Sequence, residues 1–512
     1  MAMPLMPMPM MPMPMMLMIM VLMIMVLMVV MVVMVVHWHR LTLSPQPPHG
    51  RTHQLRLASR MPACFATHNH FRETMMRGLI HGMLLALLLC TTATAQPARP
   101  PIIFVHGNGD TAGLWLTTFW RFEANGYPRD RLFALDLRYP QARNVDATPQ
   151  AGRSSSTDVR DQLAAEVTRV RALTGADKVI LVAQSRGGNT VRNYLKNGGG
   201  AAFTSLAVLC GAVNHGVIVS DKFLLGSEFN GAGPFMRDLN STPGEVVAGV
   251  RFVTIRSTAD DKYAQPDGAY LGLRGTPTEV GFAGPALQGA ENIAIDHLDH
   301  RETGFGAAAF PALFKAVTGQ APQTLIPTVA PQVVLNGKLT GFEADAPSNI
   351  AIPGATVTVW RVVAGQRQGT PLRQTTIAAD GLWGPVTVAP TDTLEFAIAA
   401  PGYPTTHIFR SPFPRSSDIV HLRPQPFGKD DAAATAVVYM SRPRGYFGIG
   451  RDTITLNGSQ PSDIAPGVPT NSTTRVVVAA GTPVVGRFNA ETITAASFPA
   501  ADQQVSVIEI TE

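Results

Sequence analysis

The chain has 512 residues, a length that suggests two to four domains. It carries 41 basic and 36 acidic residues, a formal charge of +5. Six of the basic residues and one acid precede Gln96, which leaves 35 of each from there on. The part expected to fold is therefore neutral, which argues against a basic nucleic-acid footprint, and no nucleic-acid partner is expected.

Residues 1–75 read as a low-complexity leader. Met and Pro alternate, then an uncharged apolar run extends from Met15 to Val36, long enough to span a membrane. Twenty of the 22 methionines lie at or before Met83, so two compositions are joined here. Either the leader lies upstream of the true start, or the run is an N-terminal anchor. Met76-Arg77, the apolar stretch Leu79 to Cys90 and the small residues Ala93-Thr94-Ala95 have the layout of a signal peptide, residues 76–95, cleaved before Gln96. That predicts an extracellular or periplasmic protein. A lipoprotein signal at Cys90 is disfavoured by Leu89. Cys210 is then the only cysteine of the mature chain, so no internal disulfide is expected, and its apolar surroundings predict an inert buried thiol.

From residue 96 to 319 strands and helices alternate. Ile102-Ile-Phe-Val105 and Leu132-Phe-Ala-Leu-Asp136 read as strands. Ser156-Thr157-Asp158 can cap a helix whose apolar face is Val159, Leu163, Val167 and Val170, ended by Gly175. Val179 to Ala183, Leu206 to Leu209 and Arg251 to Ile255 follow as strands. This rhythm predicts an α/β fold, with a mostly parallel doubly wound sheet covered by helices on both faces. Residues 320–332 are rich in Pro and polar residues and read as a linker. Short β-rich runs follow, at Val333 to Leu335, Ala355 to Trp360 and Thr393 to Ile398, with turns at Asp380-Gly381 and Pro401-Gly402. Residues 333–423 read as a β-sandwich and 424–512 as a second β-rich stretch, which is either a separate domain or part of a larger β unit.

Ala183-Gln-Ser-Arg-Gly187, between a strand and a helix-compatible segment, fits a nucleophile elbow. A sharp strand-to-helix turn lifts the hydroxyl of Ser185 above the sheet, and the small residues on either side let strand and helix approach. Acyl transfer also needs two backbone N–H groups for the developing oxyanion. The candidates are Arg186, directly after the nucleophile, and Asn108 in the loop Phe104-Val-His-Gly-Asn108. His106 is expected to support that loop. The acid should follow a later strand, and Ser257-Thr-Ala-Asp-Asp261 offers Asp260, the preferred candidate, or Asp261. The base should come last. Asn292 to His300 offers His300, preferred over His297. His215 reads as structural or pocket-lining. The segment from Val217 to Glu245, with Phe223, Leu224, Leu225 and Phe229, reads as a pocket wall or lid.

With these motifs, Pro101 to about Gly319 resembles the secreted bacterial lipases of the α/β-hydrolase class that use A-x-S-x-G, related extracellular esterases, and lipase-like polyhydroxyalkanoate depolymerases. The resemblance implies hydrolysis of carboxylic esters through a Ser185 acyl-enzyme, with no cofactor and no metal. Arg186 departs from the usual apolar residue and is expected to put a charge near the pocket mouth. Leu335-Asn-Gly-Lys-Leu339, Ile352 to Trp360 and Asp380-Gly-Leu-Trp383 resemble carboxypeptidase-regulatory or prealbumin-like domains, which implies contact with a lipid surface. Trp360, Trp383 and Tyr403 either make that contact or pack a core, and core packing is favoured. A polyester depolymerase, an amidase and a non-catalytic binding protein on a hydrolase scaffold stand as the other readings.

Overall fold

The computed structural model describes residues 99–241 and 243–512. The leader, the apolar run Met15–Val36 and the expected signal segment lie outside them. Among the described residues no helix is long and apolar enough to cross a membrane.

The strands Ile102–Val105 (β1), Leu132–Leu135 (β2), Val179–Gln184 (β3), Thr204–Cys210 (β4), Arg251–Ser257 (β5) and Glu291–Ile295 (β6) form one sheet in the order β2-β1-β3-β4-β5-β6. Every pairing is parallel. β1 and β3 are buried along their whole length, as strands covered on both faces must be. Successive side chains point to opposite faces, and that alternation divides the core. Ile102 and Phe104 join one apolar cluster with Val182, Val208 and Ile255. Ile103 and Val105 join another with Leu181, Ala183 and Leu209.

The second cluster is closed by the helices Ser156–Thr174 (α2) and Arg186–Asn197 (α3), through Val159, Leu163, Val167, Val170, Val191 and Tyr194. The four apolar residues expected on α2 are the ones it buries. Its cap is Ser155 rather than the residues after it. The Ser155 side chain accepts from the N–H of Asp158, and the Asp158 carboxylate accepts from the N–H of Ser155, which forms a reciprocal capping box. Gly175, at φ 67°, ends the helix in the left-handed conformation.

The first cluster is covered by the helix Leu116–Ala124 (α1) and by the helix Phe310–Thr318, and it does not stop there. It continues without a break into Trp383, Phe396, Phe413, Ile419 and Val420 of the β-rich region. Trp120 on α1 donates its indole N–H to the Ser416 carbonyl at 3.2 Å and meets Phe413 edge-on. The helical half and the β half therefore share one core.

The β-rich region does not divide at residue 423. Strands Thr356–Val363, Thr393–Ala399 and Thr405–Arg410 pair antiparallel in sequence. Thr405–Arg410 then pairs in parallel with Gln504–Glu509, which pairs in parallel with Ala436–Ser441. The last strand of the chain thus joins the two stretches within one eight-stranded sheet. Non-local pairing of this kind leaves no mark in local composition. Trp383 is fully buried against Phe396 and donates its N–H to the Val420 carbonyl at 2.9 Å, so it packs a core. Trp360 and Tyr403 are half-buried, and the Tyr403 hydroxyl accepts from the N–H of Phe342.

Candidate active site

In this sheet β2 lies on one side of β1 and β3 on the other, so the chain reverses its winding at β1/β3. The loops after those two strands open into one crevice at their carboxyl ends. That crevice is where the two loops singled out in the sequence meet.

Ser185 ends β3 and starts α3. Its backbone sits at φ 53° and ψ −124°, strained for a residue with a side chain. The tightness of the turn explains its neighbours. A Cβ on Gly187 would lie 2.6 Å from the Val105 carbonyl oxygen and 2.7 Å from that of His106, so only glycine lets α3 approach the end of β1. A Cβ on Gly188 would collide with Ala212. Arg186 is the first residue of α3, and an N–H in the first turn has no acceptor within its own helix.

The loop after β1 is braced from several directions. His106 is wholly buried. Its Nδ1 faces the Gly107 carbonyl at 2.9 Å and its Nε2 accepts from the N–H of Leu137 at 3.1 Å, which fixes one neutral tautomer. Burial also lowers its pKa. Asn108 lines the cleft and accepts from the N–H of Ala142 with its side-chain oxygen at 2.8 Å. From the β-rich region, the Asn349 amide donates to the carbonyls of Asp110 and Leu137 at 3.0 and 2.9 Å.

His300 and Ser185 line the same cleft, of about 300 Å³. The carboxylate beside His300 is that of Asp261, not of Asp260, the preferred candidate. His300 Nδ1 lies 2.8 Å from Asp261 Oδ1, with both side chains 3 % exposed. Asp260 turns outward and meets the other candidate base, His297, at 3.1 Å, and the His297 side chain is 73 % exposed. Adjacent residues leaving a strand point in opposite directions, and one residue of register decides which reaches the interior. Among the described residues His300 Nε2 has no hydrogen-bond partner. The edge of His300 packs on the ring of Tyr263, with centroids 4.6 Å apart.

Arg186 does not stand at the pocket mouth. Its side chain is fully buried, paired with Glu228 and bonded to the Pro140 carbonyl at 2.8 Å and the Ser154 carbonyl at 2.9 Å. It ties α3 to the loops around it. Cys210 is buried at the end of β4, and burial pushes its thiol up to about 12, which keeps it inert. His215 bridges Gly284 and Glu245, at 2.7 and 2.9 Å, away from the cleft. Among the described residues no group of three or more His, Cys, Asp or Glu side chains is arranged to hold a metal ion.

Asp110, Gln184, Ser227, Asn230 and Arg301 add polar groups to the lining, and much of the remainder is apolar. Val213, Val217, Ile218, Phe223, Leu224 and Phe229 line it, most of them from the segment expected to form a wall. Leu271, from the glycine-rich stretch 268–289, closes another side. Sequence reasoning missed Tyr446, which reaches the cleft from the β-rich region. It also missed how that region grips the His300 loop. The wholly buried Asp299 carboxylate accepts from Arg442 Nη1 and from the N–H groups of Tyr446, Arg301 and Glu302, at 2.8, 2.8, 2.8 and 2.9 Å. The only local signal was the charged string Arg442-Pro-Arg-Gly-Tyr446, some 140 residues away from its partners.

Residues 99–265 match the family model "Lipase (class 2)" and residues 331–427 the model "Lipase C-terminal domain". Along the chain a segment similar to class 2 lipases is thus followed by one similar to lipase C-terminal domains. These matches support a hydrolase of the lipase/esterase kind, and the parallel sheet with its covering helices is an α/β-hydrolase fold. Among solved structures it is similar to the lipase BlEst2 of Bacillus licheniformis in its mature form, at 20 % identity over 44 % of this chain and 95 % of that one, TM-score 0.34. It is also similar to lipase B of Aspergillus fumigatus, at 17 % identity over 45 % of this chain and 55 % of that one, TM-score 0.32. The match to the C-terminal model ends at residue 427, whereas the sheet it belongs to runs on to Glu509.

Proposed function

We propose that the lipase domain hydrolyses carboxylic esters through an acyl-enzyme on Ser185, with His300 as general base and acid and Asp261 as its carboxylate partner. The observation that carries this is His300. Its Nδ1 is held by a buried carboxylate, while its Nε2 lacks a partner in the cleft that Ser185 lines. In the first step the Ser185 oxygen attacks the ester carbonyl and its proton passes to His300 Nε2. The carbonyl oxygen takes the negative charge, and the N–H groups of Asn108 and Arg186 receive it. The tetrahedral intermediate collapses, and the alcohol leaves with the proton from His300. Water then attacks the acyl-serine by the same route in reverse, releasing the acid. Asp261 stays ionised throughout and stabilises the imidazolium that forms in each half.

The apolar wall supports an ester with an apolar acyl part. Leu224 and Leu225, 49 % and 42 % exposed near the cleft, supply a surface that an aggregated lipid substrate would cover. We further propose that the mature protein is secreted and begins at Gln96. The test is turnover of p-nitrophenyl esters of increasing chain length by the protein and by Ser185→Ala. Loss of such a nucleophile typically costs on the order of 10⁴ to 10⁶ in turnover. Equal rates for the two proteins would remove Ser185 from the mechanism. The chain-length profile separates a lipase from a short-chain esterase.

A further inference from the structure

A second cavity, of about 240 Å³, lies where the lipase domain meets the β-rich region. Four guanidiniums line it, from Arg301, Arg410, Arg423 and Arg444, against two carboxylates, Asp110 and Glu509. Both carboxylates are taken. Arg301 holds Asp110 at 2.6 Å, and Arg410 holds Glu509 at 2.6 Å. Arg423 has only neutral acceptors, the Ser348 carbonyl at 3.2 Å and the Asn349 side chain at 3.1 Å. Arg444 bonds the carbonyls of Thr511 and Ile510 and reaches Glu509 only at 3.8 Å.

These charges are not exposed. The side chains of Arg410 and Arg444 are 1 % and 5 % exposed. Among the described residues Arg410 Nε and Nη2 and Arg423 Nε have no hydrogen-bond partner. Burial lowers the pKa of both Arg423 and Arg444 to about 10. Asp110, Asp136 and Glu509, which act on Arg423 and Arg444, each already hold another cation, and positive charges only partly compensated in a desolvated cavity are unfavourable until an anion joins them. Guanidinium forks match the oxygens of phosphate or carboxylate in pairs.

We propose that this cavity binds an oxyanion of the phosphate class, at a site separate from the Ser185 cleft. A doubly charged oxyanion would balance the excess charge, and the volume suits a small ion or a short phosphomonoester. Asp110 and Arg301 line both cavities, so an occupant would brace the oxyanion loop and the residue after His300 from behind.

The test is binding of inorganic phosphate to the purified protein by equilibrium dialysis, with thermal unfolding in parallel, against chloride at equal ionic strength. The expected result is one saturable phosphate per chain and a midpoint raised by about 3 °C at a hundredfold excess over Kd. Glycerol 3-phosphate in a second arm separates the sources. An equal or larger rise assigns a phosphomonoester, and a smaller one the free ion. Arg410→Gln should abolish the binding. If that protein does not fold, Arg423→Gln, at a half-buried position, should weaken it at least tenfold. Absence of saturable binding beyond chloride, or binding unchanged in the folded variants, overturns the proposal. The readout does not depend on ester hydrolysis, so its failure would leave the Ser185 mechanism standing.

Discussion

Two adjacent carboxylates each face a histidine, and replacing each by its amide should separate their roles. Asp261→Asn keeps the shape of a side chain that is 3 % exposed and 2.8 Å from His300. On the proposed mechanism it does two things to the imidazole. It removes the counter-charge that stabilises the imidazolium in both halves of the reaction. An asparagine amide can also donate to Nδ1, which leaves the proton on Nε2 and blocks acceptance from Ser185. A hydrogen bond to a charged group contributes about 1.5–3 kcal/mol, or roughly 10- to 150-fold in rate. With the wrong tautomer added, the expected loss in kcat is on the order of 10³ to 10⁴. Asp260→Asn acts on a pair at 3.1 Å whose histidine is 73 % exposed, and solvent-exposed pairs contribute about 0–1 kcal/mol. Its rate should stay within about threefold of the parent, since neither residue of that pair lines the cleft. Initial rates on a p-nitrophenyl ester, with unfolding midpoints as a folding control, read both. If Asp260→Asn loses more than a hundredfold while Asp261→Asn stays within threefold, the assignment of the acid is wrong, and so is the geometry of the loop after β5.

Arg442→Met should leave the buried Asp299 carboxylate without its closer cation, with Arg451 remaining at 3.7 Å. The expected cost is about 3 kcal/mol of stability, with a drop in kcat larger than any change in KM because the His300 loop loses its anchor; an unchanged unfolding midpoint would refute the clamp. Asp136, shared by His421 and Lys338 of the β-rich region at 2.8 and 3.0 Å, gives a pH dependence. Burial alone would raise its pKa, but His421, Lys338 and the Ala112 N–H hold it well below the usual carboxylate range. A carboxylate depressed on folding stabilises the protein fully above its unfolded pKa, about 4, and that contribution is lost as pH falls toward the folded value. The parent should therefore lose stability steeply below pH 4, and Asp136→Asn should be less stable at pH 7 with a flatter acid limb; parallel curves for the two proteins would remove Asp136 from that transition.

What was legible in the sequence was what local chemistry writes down. Ile102-Ile-Phe-Val105 reads as a strand buried on both faces, and the spacing of Val159, Leu163, Val167 and Val170 fits one helix face. The glycine and alanine around Ser185 mark a turn too tight for larger residues. The choice between Asp260 and Asp261 was not legible, because it depends on the twist of the chain after Ser257, which residue types do not encode. The burial of Arg186 was hidden for a related reason. Its partner Glu228 is far along the chain, in a segment whose apolar residues drew attention instead.

The apparent boundary at residue 423 shows where composition misleads about function as well. A short β module after a linker invites the reading of an accessory that could be removed. Yet Trp383 and Phe413 sit in the same apolar cluster as Phe104 and Phe310 of the lipase domain. Asn349 holds the loop after β1, Tyr446 lines the cleft, and Arg442 anchors the loop that carries His300. Each of these contacts spans well over 100 residues, so each must be recovered against a loop-closure entropy by the packing around it. A chain ending at Gly319 would expose the apolar face of α1 to water and leave Asp136 and Asp299 without their cations. On this geometry the β-rich region completes the core of the lipase domain and adds Tyr446 to the lining of its cleft, and any contact it makes with a lipid surface is additional to that structural role.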